Sequence, residues 1–426
     1  MLKLNTILVF TCLIWISILN AQWLDKSGNL PTTAGNGWAM DAVDSLNAVL
    51  STNSGLYKTT NGGDTWELFG ESTWAIDISM KSINEIWISG GDGKIIYTSD
   101  AGINWVTQYY DPSKTDFLNY IEMFDTENGI AMGDALSGAG AAVILKTTNG
   151  GGNWVSINDS AFGGFSGDIW RRLDFIDLNT GYFYESGNNP QGLFKTNNGC
   201  QNWQRTTLPN ISLPTVKFFN ENIGLIGRVA SDQNIYRTID GGITWELFTY
   251  SPSIIVEDME FIPENPSKVW LADAHKLFFS ADTGRTWAVQ NILNIDTLRT
   301  RDLVFVDGTC GWLLCDGGKV YRTTNGNAIT EIPEQQSVVY DYSISQNYPN
   351  PFNPSTMIKF NLKEKQFVSL VVYNVLGKVV SVLINEEKNA GTHEINFDGV
   401  ELSSGVYFYK IQAGEFTSTK KMILLK

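Results

Sequence analysis

Between residues 22 and 335 the chain repeats one hydrophobic rhythm. An apolar strand comes first, as at 121–124 (Ile-Glu-Met-Phe) or 303–306 (Leu-Val-Phe-Val), and closes on a polar turn. A second short apolar run comes next, at 86–88 or 312–314, and then a Gly turn. The third strand, such as Gly192-Leu193-Phe194-Lys195, leads into a segment of pattern Ser/Thr-x-Asp/Asn-x-Gly-x-x-Trp. Runs this short, bounded by turn residues, predict strands and exclude long helices.

That segment occurs at 59–66, 98–105, 147–154, 196–203, 238–245 and 280–287. Its polar and aromatic positions are Asn61 and Trp66, Asp100 and Trp105, Asn149 and Trp154, Asn198 and Trp203, Asp240 and Trp245, and Asp282 and Trp287. The tryptophans lie 39, 49, 49, 42 and 42 residues apart, the length of one four-stranded propeller blade. The fourth copy carries Cys200 in place of its second Gly, and a worn seventh copy beginning at Thr323 has Thr330 where Trp is due. In each copy the Asp or Asn is expected to cap the turn by accepting backbone N–H bonds, and Gly to supply a positive φ. The Trp is expected to fill the space between blades. A ring of blades must also close, and residues 22–26 (Gln-Trp-Leu-Asp-Lys) resemble the Trp and outer-strand residues that end each repeat, as at 153–156. Trp23 is therefore expected to serve the seventh blade, which leaves no open edge strand. The expected fold is all-β: a seven-bladed β-propeller over 22–335.

These repeats resemble the Asp-box, or bacterial neuraminidase repeat, and the blades are similar to photosystem II assembly/stability factor-like propellers. Related repeats occur in sialidases, sortilin-type receptors and xyloglucanases. The resemblance speaks for the fold and not for an activity, because such turns are peripheral and structural. It does not imply a photosynthetic role.

A different pattern takes over near the C-terminus. Residues 336–345 read as a linker. The Pro-rich run Pro349-Asn350-Pro351-Phe352-Asn353-Pro354 then marks a boundary before alternating strands at 358–362 and 368–373. Seven short strands in about 80 residues predict a small sandwich over 346–426. With a turn at Gly377, the strand around Gly405 and Tyr407, and the basic pair Lys420-Lys421, this region resembles the type A C-terminal sorting domain of the type IX secretion system. The resemblance implies type IX machinery as a partner and delivery to the outer cell surface or medium.

At the other end, Lys3, an apolar run at 7–19 and Ala21 stand in the order of a secretory signal peptide over residues 1–21. The run is too short to span a bilayer permanently, and no later stretch reads as transmembrane.

Composition narrows the function classes. The net charge is −15, with twenty basic against thirty-seven acidic residues over 22–340 and nine Lys against eight acids over 341–426. An acidic propeller argues against nucleic acid, whose phosphates require Lys and Arg. With 4 Cys and 2 His, neither a disulfide scaffold nor a zinc module is expected. No metal or cofactor is expected.

Catalytic signatures are sparse. A sialidase would carry an Arg-Ile-Pro string, and Phe261-Ile262-Pro263 lacks the Arg. A xyloglucanase-type enzyme sets two carboxylates across a groove between two propellers, and one propeller is present here. His275 is the only propeller His, and a surface turn accounts for it. Cys310 and Cys315 flank a short strand, which sets them about 16 Å apart, so they are read as buried free thiols. No catalytic residue is assigned.

Binding is the better prospect. Aligning the repeats places Trp38, Trp74, Tyr120, Trp170, Arg171, Arg172, Glu257, Asp258, Arg299 and Arg301 near one mouth of the channel. Aromatic and Arg side chains there suit a sugar ring or a peptide carboxylate. Residues 137–142 and 161–167, in the longer third and fourth blades, are expected to add loops to the same site. The expectation is a secreted or surface binding scaffold for a protein or glycan. The alternative is a carbohydrate-active enzyme of sialidase-like or xyloglucanase-like type.

Overall fold

The computed structural model describes residues 23–326 and 342–426, apart from 32–34, 71–74, 135, 137–141, 158–171, 186–190, 210, 212–213, 229–233, 250–254, 291, 293–294, 296–297 and 390. The segment read as a signal peptide lies outside the described residues, as do Trp74, Trp170, Arg171 and most of the two added loops. The chain divides into two compact units, the second containing Gln335–Lys426.

Seven four-stranded antiparallel sheets form the propeller. Six are continuous in sequence, each running from an inner strand such as Ala75–Met80 through Ile86–Gly90 and Lys94–Thr98 to an outer strand, Val106–Tyr110. The second strands are buried on both faces, as at Ile86–Gly90 and Gly311–Cys315, which explains their unbroken apolar character. Outer strands such as Glu67–Gly70 and Val106–Tyr110 are largely exposed, whereas Ala288–Gln290 is mostly buried.

The seventh sheet is built from both ends of the propeller. Thr300–Phe305, Gly311–Cys315 and Lys319–Thr323 supply three strands, and Leu24–Asp25 adds the fourth, with Leu24 opposite Arg322. Lys26 N donates to Val320 O at 2.8 Å. Trp23 is buried and meets Trp270 and Phe305 edge-on, with ring centroids 5.4 and 6.0 Å away. It does the work of the Trp missing at the end of blade seven, and the ring has no free edge there.

The repeated turns are alike in all six copies. Asp282 Oδ1 accepts from Thr286 N at 2.8 Å and from Ser280 Oγ at 2.9 Å, while Ser280 Oγ accepts from Gly284 N. Asn61 holds Thr65 N in the same way at 3.0 Å. Two consecutive residues in each turn take positive φ; at Gly63 (φ 80°) a Cβ would stand 2.7 Å from Lys26 O. Ala101, Cys200 and Thr283 occupy this left-handed region without being Gly, at φ 59°, 69° and 59°. Trp66, Trp154 and Trp287 are buried between blades, and Trp105, Trp203 and Trp245 are half-buried.

The C-terminal unit is a sandwich of a three-stranded and a four-stranded sheet. It begins inside the stretch that the sequence suggests is linker: Ser343–Ile344 pairs with Phe360 and Asn361. Ile358, Phe360, Leu370, Val372, Tyr409, Ile411, Met422 and Leu424 alternate inward to make its core. The Pro-rich run is stitched to the last strand. Phe352, buried among these residues, donates its N–H to Ile423 O and accepts from Leu425 N, and Asn350 Oδ1 accepts from Ile423 N. Thr356 Oγ1 holds Pro349 O, and Gly399 N donates to Pro354 O. Gly377 turns at φ 75°, Tyr407 donates its hydroxyl to Ser403 O, and Lys421 is exposed beside half-buried Lys420.

Candidate functional site

The inner strands of all seven blades surround a central channel with a cavity of about 330 Å³. Side chains at two successive inward positions line it. The first is Asp77, Tyr120, Thr215, Asp258 and Asp302 in blades two, three, five, six and seven. The second includes Asp41, Glu122, Asp174, Lys217 and Glu260.

Most of these groups buckle one blade to the next. Asp41 Oδ2 accepts from Met80 N at 2.6 Å, Asp77 Oδ2 from Ile121 N at 2.8 Å, and Tyr120 OH from Phe175 N at 3.3 Å. Asp174 Oδ2 accepts from Phe218 N at 2.6 Å, and Thr215 Oγ1 donates to Val256 O at 3.0 Å. Asp258 Oδ2 takes Leu303 N at 2.9 Å, and Asp302 Oδ2 takes Met40 N at 2.7 Å. Each of the seven junctions therefore carries a side-chain bond to the backbone of the neighbouring blade. These bonds satisfy inner-strand groups that the sheets leave over.

The electrostatics follow mainly from burial. Burial pushes the Asp41 carboxyl up to about 6 against the pull of Met80 N–H, and holds Asp77 well above the usual carboxylate range. Glu122 rises to about 7 by burial, with Lys81, 3.7 Å away, opposing the rise. Lys217 bridges Glu260 at 2.7 Å and Asp174 at 3.7 Å; burial works against its charge, but the two carboxylates win and keep it an ammonium. Solvent reaches into the channel, since the Glu122 side chain is 41% exposed and that of Lys217 28%.

The residues nominated from sequence fall into three groups. Trp38 sits at the entry of the first inner strand, half-buried, and lines the cavity while its Nε1 donates to Asn53 Oδ1 at 2.6 Å. Tyr120 and Asp258 line the channel itself and serve as buckles. The remaining charges meet one another: Glu257 is buried against Arg299 (2.8 Å), and Arg301 forks onto Asp316 (2.6 and 3.1 Å). Arg172 is buried. Sequence reasoning passed over Asp41, Asp77, Glu122, Asp174, Lys217, Glu260 and Asp302. Their signal was a polar residue three or five positions before the residue that opens the first polar turn, as Asp41 before Asp44 and Asp302 before Asp307. Among the described residues no group of three His, Cys, Asp or Glu is arranged to hold a metal ion. Cys200, Cys310 and Cys315 are free and buried, and burial pushes the Cys310 thiol up to about 11.

Fold and tail together define a class: a seven-bladed propeller joined to an export tail. Residues 346–425 match the secretion system C-terminal sorting domain, which marks the chain for type IX secretion to the cell surface or outside. No described helix is long and apolar enough to cross a membrane. Among solved structures the chain is similar to YCF48 bound to D1 peptide (20% identity, TM-score 0.57), over 71% of this chain and 97% of that one. It is also similar to YCF48 from Cyanidioschyzon merolae (17% identity, TM-score 0.55, 71% and 98%). A third is the extracellular domain of the one-component system BT4673 from B. thetaiotaomicron (14% identity, TM-score 0.52), where 96% of this chain spans 59% of that one. These likenesses establish the fold. No curated protein matches the chain.

Proposed function

We propose that the chain is a non-catalytic binding scaffold, exported by the type IX route, that captures a protein or glycan at the mouth and within the channel of its propeller. The observation that carries this reading is the division of labour among the channel side chains. Asp41, Asp77, Tyr120, Asp174, Asp258 and Asp302 spend polar atoms on the blade buckles, and Lys217 is tied to Glu260. What remains is a fixed, solvent-reached, polar lining with Trp38 at its entry, which suits retention of a ligand. A YCF48 propeller of this fold is described as bound to a D1 peptide, which makes a peptide a reasonable ligand class to test first.

One observation favours glycoside hydrolysis as the second reading. The Glu122 carboxyl, raised to about 7 among other carboxyls, has the proton a general acid needs. One experiment separates the two. The purified mature chain (22–426) is incubated with immobilised peptide and glycan panels, and both retention and released product are measured. Retention without product, weakened by Trp38→Ala, is expected. Product formation that Glu122→Gln abolishes would replace the scaffold reading with the enzymatic one.

A further inference from the structure

We propose that a cavity between blades one and two, apart from the central channel, receives the phenol ring of a tyrosine side chain presented by a partner polypeptide. This inference goes beyond the channel reading and does not depend on it.

The cavity has a volume of about 260 Å³. Blade one contributes Leu56 and Gly70, and blade two faces them with Ile88, Ile96 and Trp105. Packed interiors rarely leave a void of this size. The register of the strands explains it. In blade one Gly70 stands opposite Leu56, and a bulge separates this pair from Tyr57 and Leu68. In blade two Tyr109 stands opposite Ile95, with the same bulge before Ile96 and Thr107. Gly70 and Tyr109 each lie four residues after the Trp of their repeat, so they hold one structural position.

At the next junction that position is filled. Tyr109 packs with Ile95 among Ala131, Val143, Leu145 and Trp154 of blade three. Their counterparts in blade two are Ile88, Lys94, Ile96 and Trp105, since Ile88 pairs with Ile96 as Ala131 does with Leu145. Gly70 therefore supplies no side chain where a tyrosine stands one blade further on, and the wall that would receive the ring is already built.

Chemistry narrows the occupant. An apolar cavity of about 150 Å³ admits a benzene ring. The larger volume here leaves room for a hydroxyl and a Cβ. The Trp105 ring favours an aromatic neighbour, as it already has in Phe69 at 5.9 Å. Lys94, standing where blade three has Val143, makes one side of the cavity polar. Its Nζ donates to Asp92 Oδ2 at 2.6 Å, and both side chains are part-exposed, at 37% and 42%. The two charges cancel, so an ionised ligand gains little from them. A neutral hydroxyl complements the pair, because it can donate to Asp92 and accept from Lys94. A phenyl ring brings nothing to this pair, and an aliphatic chain brings nothing to Trp105.

Ligand-observed saturation-transfer NMR on residues 22–426 tests this with the peptide Gly-Gly-Tyr-Gly-Gly and its phenylalanine and leucine counterparts. Saturation reaches the tyrosine ring, the phenylalanine peptide binds about 10-fold more weakly for want of a hydrogen bond to a charged group, and the leucine peptide does not bind. Gly70→Tyr plugs the cavity from within; the nearest atoms to a Cβ at Gly70 belong to the flexible Leu56 side chain. Thr107→Trp obstructs it from an exposed lining position. Both variants lose the tyrosine signal while melting near wild type, and if one fails to fold the other decides. Absence of transfer to the tyrosine ring overturns the inference, as does a signal undiminished in the folded variants or equal affinity for the phenylalanine peptide. Binding that appears only in Trp74→Ala also overturns it, since the chain's own Trp74 would then be the occupant.

Discussion

The closure of the ring yields a quantitative prediction. Trp23→Ala removes a buried indole wedged edge-on against Trp270 and Phe305. Truncating a core Trp costs about 3–5 kcal/mol, including edge-to-face contacts of about 0.5–1.5 kcal/mol each. The Nε1 of Trp23 is buried without a partner, so removing it returns roughly 1 kcal/mol of that loss. A net destabilisation of about 2–4 kcal/mol remains, which at roughly 2 °C per kcal/mol lowers the melting temperature by about 4–8 °C. Trp23→Phe keeps an aromatic edge and sheds the orphan N–H, so it should stay close to wild type. Calorimetric melting of residues 22–426 measures the shift. Hydrogen exchange locates it, with protection lost first in Lys319–Thr323, the strand paired with Leu24–Asp25. A wild-type melting temperature for Trp23→Ala, or exchange raised evenly over all blades, would refute the view that Trp23 fastens the seventh blade.

The same geometry gives three further outcomes. Asp282→Ala deletes the acceptor of Thr286 N, Thr286 Oγ1 and Ser280 Oγ and should cost about 1–2 kcal/mol by denaturant titration, whereas Asp282→Asn should be nearly neutral, because Asn61 already serves this role in its own turn. Thr283→Gly should stabilise by about 0.5–1 kcal/mol, since a β-branched residue at φ 59° is strained by about 1–2 kcal/mol and Gly gives back part of that as chain entropy. The third concerns pH. Glu122 has its carboxyl raised in the folded chain, so its protonated form favours folding below about 4.5 and that contribution is lost as pH rises through about 7. Melting temperatures between pH 5 and 8 should accordingly show Glu122→Gln gaining on wild type as pH rises, and a gain on acidification would contradict the assignment.

How much of this was legible in the sequence depends on whether a residue's work is local. The capped turns were legible because Thr98, Asp100, Gly102 and Asn104 bond to one another within a few residues, so the chemistry fixes the spacing. Ring closure was legible because a strict repeat makes the missing Trp of the seventh copy conspicuous. The channel was not. Its buckles join residues 39 to 55 apart or, for Asp302 and Met40, 262 apart. Any side chain with an acceptor or donor does the job, so Asp77, Tyr120 and Thr215 stand at one register with no shared residue type. A bulge before that position, as between Leu118 and Tyr120, also shifts the inward face and hides the alternation. The Arg and Glu residues nominated for the rim are taken up by partners distant in sequence, Arg299 by Glu257 (42 residues away) and Arg301 by Asp316 (15 away), contacts that strand spacing alone does not reveal. Ser343–Ile344 escaped notice because a two-residue strand carries no period.

The central claim is that ligands enter the channel and do not merely settle on the outer turns. Hydrogen exchange of residues 22–426, with and without the tightest ligand from the peptide and glycan panels, tests it most directly. Added protection concentrated in the inner strands Gly37–Ala42, Ala75–Met80 and Leu118–Met123 is the predicted result. Protection confined to the outer strands or the capped turns, with the inner strands unchanged, would contradict it.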